Sequence, residues 1–148
     1  MKLKDLLQSD LVSAMKSNDL DSKHIIRAVM TAAKYAQVDS AGELSDDDLV
    51  RIIQKEIKLR MDAIEEAKKG HREDIIDINQ REIKLLEKYL PEQLSEAEIQ
   101  QILSNLLEET GITSQKELGK IMPVAIQKIN GRAPNALVSK LLREILQK

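Results

Sequence analysis

Apolar residues recur at the spacing of an α-helix in every segment of this chain long enough to show a period, and this feature constrains the fold most. Leu3, Leu6, Leu7, Leu11 and Met15 make one stripe, which the polar turn Asn18-Asp19 ends. Ile25, Ile26, Val29, Met30 and Ala33 make a second, with Ser22 as its expected N-cap. The polar stretch QVDSAGELSDDD then reads as a loop. Asp46, Asp47 and Asp48 directly follow Ser45, where a helix N-terminus favours negative charge, so they are capping residues rather than a cation site. A third helix is expected over about 46–69 and a fourth over about 71–90, with Gly70 between them as a left-handed cap. The i,i+4 pairs Glu65/Lys69, Glu56/Arg60 and Asp77/Arg81 support exposed helix and make no site. Short connections between long amphipathic helices argue for an antiparallel bundle.

The stretch EKYLPEQLSEAEIQQIL, Glu87 to Leu103, interrupts this pattern. Pro91 has no backbone N–H and restricts Leu90, so the fourth helix should end there. Ser95 and Glu98 form a capping box that starts a new helix through Ile99, Ile102, Leu103, Leu106 and Leu107, which Gly111 ends. Ser114 and Glu117 suggest a second box, for a helix with Leu118, Ile121, Met122, Ile126 and Ile129 that Pro123 should kink or divide. Gly131 closes that segment, and Asn135 is the expected cap of a last helix with Leu137, Val138, Leu141, Leu142 and Ile145. The expectation is an all-α chain: a four-helix domain over 1–90, then a small three-helix bundle over 91–148.

Composition narrows the functions open to such a chain. It has no Phe or Trp and only two Tyr, so platforms that stack splayed bases are excluded. With no cysteine, disulfides, thiolate metal sites and a cysteine nucleophile are excluded too. A cytoplasmic protein is the natural reading, since no apolar run approaches the ~18 residues that span a bilayer and MKLKDLLQSD lacks a signal-peptide core. Charge is unevenly spread: Thr110–Lys148 holds seven Lys or Arg against two Glu, whereas Met1–Glu109 holds sixteen basic and twenty-three acidic residues. Such asymmetry suits contact with nucleic acid, and an ordinary solvated helical surface suits it equally.

The stretches YLPEQLSEAEI and GKIMPVAIQKINGRAPNALVSKLL resemble the YqeY family, whose C-terminal part is shared with the tail of GatB, a subunit of the tRNA-dependent amidotransferase. The most specific residues are Tyr89-Leu90-Pro91, Gln93-Leu94-Ser95, Gly119-Lys120 and Gly131-Arg132-Ala133. The resemblance covers essentially the whole chain. It implies a helical N-terminal domain, a GatB-tail-like C-terminal bundle and association with tRNA. It also carries the family's description as a carbon–nitrogen ligase with glutamine as amido-N-donor. Where the family often has Ala-Asp-Gly, this chain has Ala133-Pro134-Asn135.

No catalytic constellation is visible in the residues themselves. Ser104, Ser114 and Ser139 are separated helix or cap residues without a Gly/Ser-rich loop, and no glycine-rich phosphate loop occurs. His24 shares i,i+3 spacing with Asp21, but the second such pair of a bundle metal site is missing; His71 reads as a solvated turn residue beside Gly70. No metal or cofactor is therefore expected. Lys116, Lys120, Lys128, Arg132, Lys140 and Arg143 remain as a candidate phosphate-contacting surface for tRNA or another folded RNA. The leading expectation is a non-catalytic, tRNA-associated module working with a protein partner that supplies chemistry. The alternative is a protein-interaction adaptor without RNA binding.

Overall fold

The computed structural model describes residues 2–40 and 42–147, apart from the side chain of Ser40, and among them the regular structure is entirely helical. It divides into two compact units, Met1–Leu90 and Pro91–Lys148. The first holds α1 (Leu3–Ser17), α2 (Leu20–Ser40), α3 (Asp46–Lys69) and α4 (Glu73–Glu87). The second holds α5 (Glu96–Thr110), a 3-10 turn (Gln115–Glu117), α6 (Leu118–Ile129) and α7 (Asn135–Leu146).

Each unit has its own core. In the first, Leu7, Ile25, Ile26, Val29, Ile53, Ile57 and Leu86 interdigitate, and Ile64, Ala67 and Ile76 make a smaller cluster along the α3–α4 hairpin. In the second, Ile99 and Leu103 of α5 meet Ile121, Ala125 and Ile129 of α6 and Val138, Leu141 and Leu142 of α7. Burying each Leu or Ile stabilises by about 1.5–3 kcal/mol, so these stripes decide the packing. The first stripe is only partly used. Leu7 is buried, while Leu6 and Met15 remain exposed.

Side-chain caps set the starts of α2, α3 and α5. Ser95 Oγ accepts from Glu98 N–H and Glu98 Oε1 accepts from Ser95 N–H, both at 3.2 Å, completing that capping box. Ser45 and Asp48 make the same reciprocal pair at 3.1 and 3.0 Å. These backbone bonds hold the Asp48 and Glu98 carboxyls below their ordinary range, so the caps act above that range and weaken as pH falls through it. The second helix is capped differently from the sequence expectation. Asp19, not Ser22, precedes α2, and its carboxylate accepts both the Ser22 N–H and the Ser22 hydroxyl. That helix also runs through Gln37 to Ser40, shortening the expected loop; Ala41 lies outside the described residues.

Several further positions depart from the sequence reading. Gly70 has φ −94° and His71 takes the left-handed conformation, φ 56°, where the chain turns between α3 and α4. His71 N–H bonds the Lys68 carbonyl and Arg72 N–H the Ala67 carbonyl, a Schellman closure displaced one residue from the glycine. A left-handed non-glycine costs about 1–2 kcal/mol. We expect His71→Gly to raise stability by about 1 kcal/mol in urea titration; no gain would mean the turn is not strained. The fourth helix starts at Glu73 and stops at Glu87, with Tyr89 and Leu90 N–H groups closing 3-10-type bonds before Pro91.

Ser114 Oγ accepts from Lys116 N–H and opens a 3-10 turn rather than a capping box with Glu117. Pro123 does not divide α6, which is continuous from Leu118 to Ile129; the break falls earlier, where the 3-10 turn meets the α-helix. Asn135 is the first helical residue of α7 and makes no cap bond, because the Pro134 carbonyl already accepts from Leu137 and Val138.

Candidate nucleic-acid interface

Ile121, Ala125 and Ile129 turn one side of α6 into the core, so Lys120, Val124 and Lys128, at the same interval, lie on its exposed side. Asn130 and Gly131 both adopt positive φ and reverse the chain. Arg132 then folds back over the helix end, its Nε donating to the Ile129 carbonyl at 2.9 Å and its Nη2 to the Lys128 carbonyl at 3.1 Å. A cation there satisfies carbonyls the helix leaves open and complements its dipole. Val124, Gln127, Lys128, Asn130 and Arg132 line a shallow recess of about 400 Å³. Lys128 and Arg132 thus share one surface, with Lys120 two turns away along the same helix. Gln127 and Asn130 add amide groups that a search for cations passes over.

The other candidates are placed elsewhere. Lys140 and Arg143 are exposed on α7, and Lys116 sits in the 3-10 turn, whose Gln115 side chain donates to the Arg143 carbonyl at 3.3 Å. The six basic residues therefore occupy two helices, the 3-10 turn and the turn between α6 and α7, and of the six Lys128 and Arg132 line the recess.

The most specific sequence signatures meet each other. Gln93 Nε2 donates to the Gly131 carbonyl at 3.0 Å and to the Pro91 carbonyl at 2.8 Å, while Leu94 N–H donates to the Arg132 carbonyl at 2.8 Å. Ala133 beside them is 1% exposed. Gln93-Leu94 and Gly131-Arg132-Ala133 therefore close the C-terminal bundle on itself, which gives them a structural reason to be those residues. Arg132 adds a small charge attraction to Glu98, whose carboxyl is lowered mainly by Ser95.

In the N-terminal unit, the Tyr89 hydroxyl donates to Asp10 Oδ2 at 2.5 Å. Burial first, then this hydrogen bond and the Asp10 charge, raise the Tyr89 phenol well above its ordinary value, so it stays a neutral donor. Arg60 also departs from the sequence reading. Its Nε pairs with Glu82 Oε2 of α4 at 2.8 Å and its Nη1 donates to the Glu56 carbonyl at 3.0 Å. The side chains of Arg60, Glu56 and Glu82 are only 12%, 14% and 12% exposed, so this is an interhelical clamp rather than a solvated pair. Glu65 and Lys69 take i,i+3 partners, Lys68 and Glu66, and Arg81 lies 3.8 Å from Asp21 of α2. His24 is mostly exposed, 3.7 Å from Glu82. Among the described residues no three His, Asp or Glu side chains come together to hold a metal ion.

Comparison with known proteins bears on this arrangement as a whole, because a family model for YqeY-like proteins matches residues 4–146. The chain belongs to the YqeY-like family. The YqeY match thus spans both units. Similar proteins include altered inheritance of mitochondria protein 41 of Pyrenophora tritici-repentis, 31% identical over 95% of this chain and 78% of that protein. The like-named proteins of Kluyveromyces lactis and Lachancea thermotolerans are 37% and 36% identical over 78% and 70% of this chain. This YqeY-like chain spans 66% and 57% of their respective lengths. All three are named as mitochondrial proteins, which sets them apart from the cytoplasmic expectation; none of the names states a reaction or an RNA. Among the described residues no helix is long and apolar enough to cross a membrane.

Proposed function

We propose that the C-terminal unit is a phosphate-contacting module for folded RNA, tRNA foremost, and that the chain acts without chemistry of its own beside a partner that supplies it. The observation that carries this reading is the exposed edge of α6, where Lys120, Lys128 and Arg132 follow one another and two of them line a common recess. A surface with cations and amides but no aromatic ring suits backbone and shape recognition rather than base readout. The amidotransferase-like description of YqeY relatives belongs to the same proposal: the module holds RNA, and glutamine chemistry resides elsewhere. Arg132 spends its guanidinium on the end of α6, so Lys120 and Lys128 make the cleaner probes.

Gel-shift titration of tRNA at low salt tests the proposal. Binding should weaken steeply with salt, and Lys128→Glu or Lys120→Glu should lower the log–log salt slope by about 0.9 per lost phosphate contact. No binding at low salt overturns it. An adaptor reading has its own observation, the exposed Tyr35 and Val38 at the end of α2. A stoichiometric protein partner recovered equally by the wild type and both α6 variants would put that reading first.

A further inference from the structure

The largest cavity described in the N-terminal unit, about 950 Å³, lies between α1, α2 and the start of α3. Its accessible apolar floor is made by the half-buried Leu11, Met30, Ala33 and Leu44, laid over the buried Leu7, Val29 and Leu49. Its rim carries Lys2, Lys4, Arg27 and Lys34, and among the described residues none of these four has an ion-pair or hydrogen-bond partner for its side chain. Asp5 and Asp46, from the beginnings of α1 and α3, and Glu43, from the connection before α3, also reach the cavity, and Asp46 is engaged by the Leu3 N–H at 3.2 Å. Arg27 and Lys34 lie two turns apart on one face of α2, a helix that contributes no carboxylate to the lining.

Binding pockets for small molecules typically have about 300–1,000 Å³, mostly apolar walls and a few polar groups that fix orientation. An apolar floor laid over a helical core accepts a flexible hydrocarbon chain, and Met30 can adjust its shape to one. Unpaired cations on the rim select a negative head. We propose that this cavity binds a medium- to long-chain carboxylate, its hydrocarbon over Met30 and its carboxylate on the α2 cations Arg27 and Lys34. The site is independent of the proposed RNA surface.

Dodecanoate, below its aggregation concentration, is the probe, and the methyl NMR signals of the five methionines in labelled full-length protein are the readout. The Met30 methyl should shift saturably with one equivalent bound, and Met122 of α6 should not respond. Arg27 and Lys34 are exposed, so their reversal to Glu leaves the core intact. Arg27→Glu and Lys34→Glu should each weaken binding about tenfold, Lys128→Glu should leave it unchanged, and uncharged 1-dodecanol should bind the wild type about tenfold more weakly. A Met30 signal that does not saturate, equal affinity for dodecanol, or indifference to both α2 reversals would overturn the proposal.

Discussion

Leu142→Ala is expected to remove about 3–4 kcal/mol from the C-terminal unit. Leu142 is 0% exposed on α7, inside a core made only of aliphatic side chains from three short helices and the Ala133 turn. Leu-to-Ala changes in cores cost about 2–5 kcal/mol, because the lost transfer free energy is joined by that of a cavity the neighbours cannot fill. The middle of that range applies here, since α5, α6 and α7 all close on the site and none can move in without uncovering its own stripe. A unit of this size has only about 3–9 kcal/mol of total stability, so the substitution removes much of it. Urea titration of the full chain by circular dichroism should show an earlier C-terminal transition. Leu142→Met, which conserves volume, should cost less than about 1.5 kcal/mol. Val124→Ala, on the exposed side of α6, should stay within about 0.5 kcal/mol. A Leu142→Ala loss below about 1 kcal/mol would mean that α7 is not seated as described.

Arg60→Ala should destabilise the N-terminal unit by about 2–3 kcal/mol, far beyond a surface pair. The substitution strands the Glu82 carboxylate, 12% exposed, with the His24 ring at 3.7 Å, and removes the Nη1 donor from the Glu56 carbonyl. The loss arises from an unpaired group held away from water, not from the attraction alone. Replacing both partners, Arg60→Met with Glu82→Leu, should therefore cost less than either single removal of charge. Lys at position 60 cannot supply both donors in the same fork and should recover only part of the loss. Because the pair is largely shielded, the Arg60→Ala effect should change little between low and moderate salt. A loss below about 0.5 kcal/mol that vanishes with salt would return Glu56/Arg60 to the status of an exposed helix pair.

The contrast between Arg60 and Lys128 shows where sequence reasoning reached and where it stopped. Lys128 is expected from the sequence only beside Arg132 at the turn between two helices, and it lies within α6 on the side that the 3.6-residue apolar period leaves outside. Helical i,i+4 spacing pairs Arg60 with Glu56, and that pair survives only as a 3.9 Å approach. Its dominant partner lies on α4, and no periodicity within α3 encodes which α4 residue will cross it. The Gly70–His71 turn failed differently. Composition marks glycine as the left-handed residue, but the hydrogen bonds to Ala67 and Lys68 place the reversal one residue later.

The apolar period determined by itself that this chain is helical, and the capping residues and the proline stop that α5 begins after Ser95 and that the fourth helix ends before Pro91. Those signals act over three or four residues, the range across which a side chain can satisfy its own backbone. Only the tertiary structure decided that Gln93 and Leu94 fasten the Gly131-Arg132 turn, that Tyr89 reaches Asp10, and that Arg60 clamps Glu82. Each of these joins residues far apart in the chain, and their meeting depends on how whole helices pack.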